Sequence, residues 1–175
     1  VVGSVRGKAS LLEKIFNKII KKILPLDRLV FTGNLIGSNL YEKNYSARTI
    51  DLALQFRAHF ISNKFSNAID IVFLRGYFEE LLEKSIELHM SPNPLELVNW
   101  MYSKGLDQIL KSYNIPSNLL DNAARSGAGA LSRASMEIRE AIKNNSGHSE
   151  YLASLKRLAY NQEKTLLFVS AGISK

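Results

Sequence analysis

Three short apolar runs, at Val1–Val2, Leu29–Thr32 and Ile69–Leu74, each break into a loop that contains glycine, and each loop gives way to a longer stretch of helical periodicity. A buried extended run, a glycine turn and a helix, repeated in that order, form the crossover unit of a largely parallel sheet, so the pattern specifies the α/β class. The first helix is expected over Lys8–Leu24. Its apolar stripe is Leu11, Leu12, Ile15, Phe16, Ile19, Ile20 and Ile23, and Pro25 stops it. A second is expected over Ser46–Ile61, with Ser46 placed as an N-cap. A third runs from about Phe78 to Met90 and carries Glu79 and Glu80 in its first turn, where the helix dipole favours carboxylates.

From Ser91 to Glu163 the strand pattern vanishes. Pro94–Ser103, Leu106–Tyr113, Leu131–Lys143 and Glu150–Tyr160 read as helices, which makes about 91–163 a helical insertion. Thr165–Val169 restores a buried strand, and Ser126–Ala130, all small residues, is the one stretch where disorder is expected. With 175 residues, 46% of them apolar, the chain suits one domain spanning 1–175. It starts inside a strand pattern and stops just after another, so we expect a fragment at both ends.

The sequence has no cysteine, which excludes disulfides, thiolate metal sites and thiol nucleophiles. No apolar run approaches the roughly 18 residues of a membrane span, and a cytoplasmic location is expected. A net charge of +7 raises the question of an acidic partner. The densest basic cluster, Lys14, Lys18, Lys21 and Lys22, lies opposite the apolar stripe of the first helix and reads as its solvated back. The remaining basic residues are scattered, and no nucleic-acid module with interleaved aromatics is present.

In open α/β sheets ligands bind at the carboxyl edges of the strands. Four glycine-containing edges occur here in order: Gly3-Ser4-Val5-Arg6-Gly7, Gly33-Asn34-Leu35-Ile36-Gly37, Arg75-Gly76-Tyr77-Phe78-Glu79 and Ser170-Ala171-Gly172. Any one of these glycines alone indicates no more than a tight turn. Taken together with their spacing, the segments resemble the calcineurin-like metallophosphoesterases, in the branch of the bacterial serine/threonine protein phosphatases and symmetrical diadenosine tetraphosphate hydrolases. The family pattern is G-D-x-H-G, G-D-x-x-D-R-G, R-G-N-H-E and an apolar strand ending in H-A-G. Asn99–Gly105 and Ser112–Ile115 also resemble that branch's W-x-x-x-G-G and S-Y-G-V segments. The resemblance implies a truncated metallophosphoesterase-like scaffold with a helical insertion.

The family's chemistry needs two divalent cations held by carboxylates, histidines and an asparagine. On this chain those ligand positions fall on Ser4, Arg6, Asn34, Tyr77 and Ser170, and the catalytic positions fall on Ser38 and Phe78. Glu79 alone keeps its motif letter, at a position that supports the loop without binding metal. Serine and asparagine offer neutral oxygens, which do not balance two divalent ions. A guanidinium at about 4 Å and an effective dielectric near 20 repels each ion by roughly 8 kcal/mol. His59, His89 and His148 read as solvated or capping residues.

The expectation is therefore a catalytically degenerate phosphatase, a pseudophosphatase, with no cofactor. Arg6, Lys8 and Arg75 would form an electropositive edge for a phosphate-type anion. The alternative is an active phosphoesterase with two metals of the manganese, iron or zinc class, acting on phosphoserine or phosphothreonine proteins or on dinucleoside polyphosphates. Because a carboxylate cluster needs metal to relieve its own repulsion and this chain lacks that cluster, EDTA should leave the melting temperature unchanged. A fall of more than a few degrees in a thermal melt would require a bound structural cation.

Overall fold

The computed structural model describes residues 1–37, 45–62 and 67–171. Its parallel sheet is narrow. Strand β1 (Leu29–Phe31) pairs with β2 (Ile71–Phe73) in the register Leu29 to Ile71, Val30 to Val72 and Phe31 to Phe73. Val2 adds one parallel bridge on the far side of β1, and Lys156 adds one beyond β2 at Leu74. The N–H of Val2 donates to the carbonyl of Val30 (2.8 Å), and Thr32 returns a bond to Val2 (2.9 Å). The chain thus places the ends of three extended segments side by side, as the repeated glycine breaks predict.

Helices α1 (Ala9–Ile20) and α2 (Ser46–Ile61) pack against each other beside the sheet. Their contact with it is aromatic. Phe16 stacks on Phe56 at 4.1 Å between centroids, Phe31 stacks on Phe73 at 4.6 Å, and Phe31 meets Phe16 and Phe56 edge to face. Helix α1 ends earlier than its apolar stripe implies. Pro25 disfavours helical geometry at Leu24, whose N–H is taken by the Asp27 carboxylate at 2.8 Å, so the chain turns there into β1. Ser46 is the first residue of α2 and not its cap. Its hydroxyl exchanges bonds with the backbone of Gly37 instead (3.1 and 3.2 Å).

After β2 come α3 (Tyr77–Ser85), a 3-10 turn at Leu88–Met90, α4 (Pro94–Ser103) and α5 (Leu106–Ser112). Helix α6 (Leu119–Ser126) has no counterpart in the sequence reading, although Leu120 and Ala123 give it a buried face. The small-residue stretch after it is ordered. Gly127, at φ +97°, makes the corner between α6 and α7 (Ala128–Lys143), a left-handed conformation that glycine adopts at little cost. The buried side chains of these helices belong to the same cluster as the strands, running from Val2 to Leu155.

The C-terminal part differs most from expectation. Helix α8 covers only His148–Ser154, and Leu158–Tyr160 is a strand, β3, antiparallel to β4 (Leu167–Val169). Thr165–Val169 is therefore not a buried strand of the parallel sheet but one arm of a largely exposed hairpin. Asn161 builds the turn: its carboxamide oxygen accepts the N–H of Leu166 (2.7 Å) and its nitrogen donates to Thr165 (2.8 Å). Eight α-helices and two small sheets among the described residues make the chain α/β. No helix among them is long and apolar enough to cross a membrane.

Phe31 is fully buried and touches three other rings, so it joins both helices to both strands. Phe31→Ala should cost about 3–5 kcal/mol of unfolding free energy, read from the denaturant midpoint, as expected for a large ring removed from a closed core.

Candidate functional site

The three strand-end loops meet. The carbonyl of Asn34 accepts the N–H groups of Val5 (3.2 Å) and Arg6 (2.9 Å), and Leu35 accepts that of Gly7 (2.8 Å). On the other side the loop after β1 touches the loop after β2. A Cβ on Gly33 would lie 2.5 Å from the nitrogen of Gly76, and one on Gly76 would lie 2.3 Å from the nitrogen of Asn34. No side chain fits either position, which is the reason for glycine at both. Arg6 (φ +48°) and Asn34 (φ +54°) both hold left-handed conformations, unusual for residues other than glycine.

Glu79, in the first turn of α3, ties these loops together. Its side chain lies in the core, the residue being 2% exposed. One carboxylate oxygen accepts the N–H groups of Leu35 (2.8 Å) and Ile36 (3.2 Å), and the other accepts those of Asn34 and Gly76 (both 2.9 Å). Burial pushes its pKa up, and the backbone donors around it pull the other way by favouring the anion. With two donors on each oxygen, the carboxylate is committed to the backbone. Among the described residues no group of three or more histidines and carboxylates could hold a metal ion.

The positions singled out by the resemblance are only partly brought together. Arg6, Asn34 and Phe78 form one cluster. The Asn34 side-chain oxygen accepts the N–H of Phe78 (3.1 Å), closing the start of α3, and the Arg6 guanidinium lies 5.8 Å above the Phe78 ring. Phe78 is buried and meets Tyr77 edge to face at 5.2 Å. Ser4 is exposed on the first loop. Ser170 follows β4, which pairs with β3 and not with the parallel strands. Ser38 and Gly172 lie outside the described residues.

Two of the three cations proposed to hold an anion line different clefts. Arg75 is ion-paired to Glu83 and lines a cleft of about 440 Å³ between α3, α7 and α8. Lys8 lines a different cleft with Arg48 and Glu13. Arg6 makes no ion pair among the described residues.

One polar cluster escaped the sequence reading. His148 is fully buried rather than solvated: its Nδ1 lies 3.0 Å from the Tyr113 hydroxyl, and its Nε2 lies 3.1 Å from Asp51. Burial pushes the Tyr113 hydroxyl's pKa well up, and the Asp51 charge adds to this. The partners are 35 and 97 positions from His148 in the chain, and no local spacing signals such a group. His59 is exposed in the last turn of α2, as expected, whereas His89 is half-buried in the 3-10 turn with its Nδ1 unpartnered.

Comparison with known protein families, curated proteins and solved structures finds no match to this chain. Glu79→Gln should destabilise the fold by roughly 3 kcal/mol or more, since the carboxamide nitrogen would face backbone donors and leave buried N–H groups unpaired. A loss below about 1 kcal/mol in chemical denaturation would mean that the loops close without the carboxylate.

Proposed function

We propose that this chain is a metallophosphoesterase-like scaffold that binds without hydrolysing phosphoesters. The observation that carries the reading is the use made of Asn34. At the position where the resemblance calls for a bridging carboxylate, a neutral side chain spends its oxygen on the N–H of Phe78, and the ring that follows lies buried beneath the Arg6 guanidinium. Hydrolysis at a dinuclear site needs charged ligands that polarise the phosphoryl group and activate water. Asn34, Phe78 and Arg6 supply a closed helix start, an apolar surface and a fixed positive charge.

Of the three candidate cations, Arg75 is paired to Glu83 and Lys8 stands at the start of α1, whereas Arg6 lies over the Phe78 ring in a left-handed backbone conformation, its N–H bonded to the carbonyl of Asn34. Strained residues of this kind cluster at binding sites. A guanidinium there can take a phosphate-type anion through paired hydrogen bonds without activating water.

Calorimetric titration with manganese should show no two-site uptake, and p-nitrophenyl phosphate should not be turned over above the buffer rate. Two bound manganese ions together with turnover would overturn the proposal. Millimolar phosphate should raise the melting temperature, and Arg6→Ala should abolish that rise while Arg75→Ala leaves it. A rise indifferent to Arg6 would remove the anion from this site.

A further inference from the structure

A second cleft, of about 600 Å³, opens between α3, the 3-10 turn and α4, with Tyr77 of the third strand-edge segment at its border. Its floor is apolar, formed by the buried side chains of Leu81, Leu88 and Met101. Its walls are Tyr77 and Trp100, each more than two-fifths exposed, and Met90, which is three-quarters exposed. Aromatic and thioether surface left open around a concavity marks a binding site more often than scattered single residues do. Tyr77, which stands where the resemblance asks for a metal ligand, belongs to this cleft.

The charge on the rim decides what fits. In a chain of net charge +7, this rim carries two carboxylates, Glu80 and Glu87, against one ammonium, Lys84; the Arg75 and Arg157 charges also act on Glu80, so Glu87 is the carboxylate left for a ligand. Lys84 pairs with Glu80 at 3.0 Å, one helical turn apart and exposed on both sides. The Glu87 carboxylate has no partner among the described residues. An exposed pair of this spacing is weak and is readily exchanged for another cation. Indole and phenol faces attract cations through their ring quadrupoles, and nearby carboxylates add to that attraction.

We infer that the cleft bounded by Tyr77, Trp100 and Glu87 binds an organic cation: an alkylammonium head, either free or as a lysine side chain of a basic peptide. Lys84 competes with that ligand for the carboxylates, so removing the Lys84 charge strengthens binding. Aromatic side chains with a purely structural role would not respond in this direction.

Trp100 is the only tryptophan in the sequence, so its fluorescence reports the site directly. Titration of the whole chain with tetramethylammonium, and separately with a trimethyllysine-containing peptide, should change that fluorescence in a saturable way. Tyr77→Ala and Glu87→Gln should weaken binding by between about two- and thirtyfold, and Lys84→Gln should tighten it several-fold. Trp100→Leu, followed by calorimetry, should lose it. Tighter binding of the peptide identifies a peptide side chain as the source, and equal binding identifies a free cation. The neutral isostere 3,3-dimethylbutanol should bind much more weakly than choline. Equal binding of that pair, no saturable change with either cation at millimolar concentration, or indifference to both Glu87 and Lys84 would each overturn the inference.

Discussion

The Glu79 carboxylate accepts four backbone N–H groups from two loops, and the arrangement of β1, β2 and α3 depends on that clamp. A carboxylate this deeply buried has to be satisfied, and no cation pairs with it among the described residues. The peptide donors of residues 34, 35, 36 and 76 do so instead, and each of them would otherwise be an unpaired polar group in the core. The loops approach closely enough for the clamp only because Gly33 and Gly76 carry no side chains. The geometry of the strand edge is therefore inherited from structural bonds: Glu79 accepts the N–H of Asn34, and the Asn34 side-chain oxygen accepts that of Phe78.

The helical part of the chain is held to the sheet in two ways. Apolar packing does most of this, through a core that passes without interruption from the phenylalanines of the sheet to Ile138, Ile142 and Tyr151. The His148 cluster adds direction. It joins Asp51 in α2, Tyr113 after α5 and the first residue of α8, and a buried imidazole with a partner on each nitrogen accepts few other arrangements. The stretch of about 91–163 reads as an insertion in the sequence, yet as far as Leu155 it shares the core with the strands.

Charge is distributed by the same logic. Arg75 leaves the strand edge because Glu83, two turns along α3, offers an ion pair at the mouth of a cleft. Arg6 stays because the Phe78 ring lies beneath it. The aromatic cleft beside Tyr77 lies on another face of α3 from the cleft that Arg75 and Glu83 line.

The α/β class, the positions of β1, β2, α1 to α5 and α7, and the meeting of three glycine loops were all legible in the sequence, because periodicity and missing side chains act locally. The special standing of Glu79 was legible as a motif letter, but its four donors were not. The end of the chain was misread because Leu158 and Tyr160 follow Leu152 and Leu155 at helical spacing, while the hairpin rests on the side chain of Asn161. Arg75 and Lys8 line different clefts, since nearness in sequence to a strand end does not set the direction of a long side chain. Most strands and helices, and the places where the backbone can approach closely, are properties of neighbouring residues and so are written in the chain itself. Which polar groups find each other is settled by packing, because a buried carboxylate or imidazole takes its partners from whichever distant segment the core brings within reach.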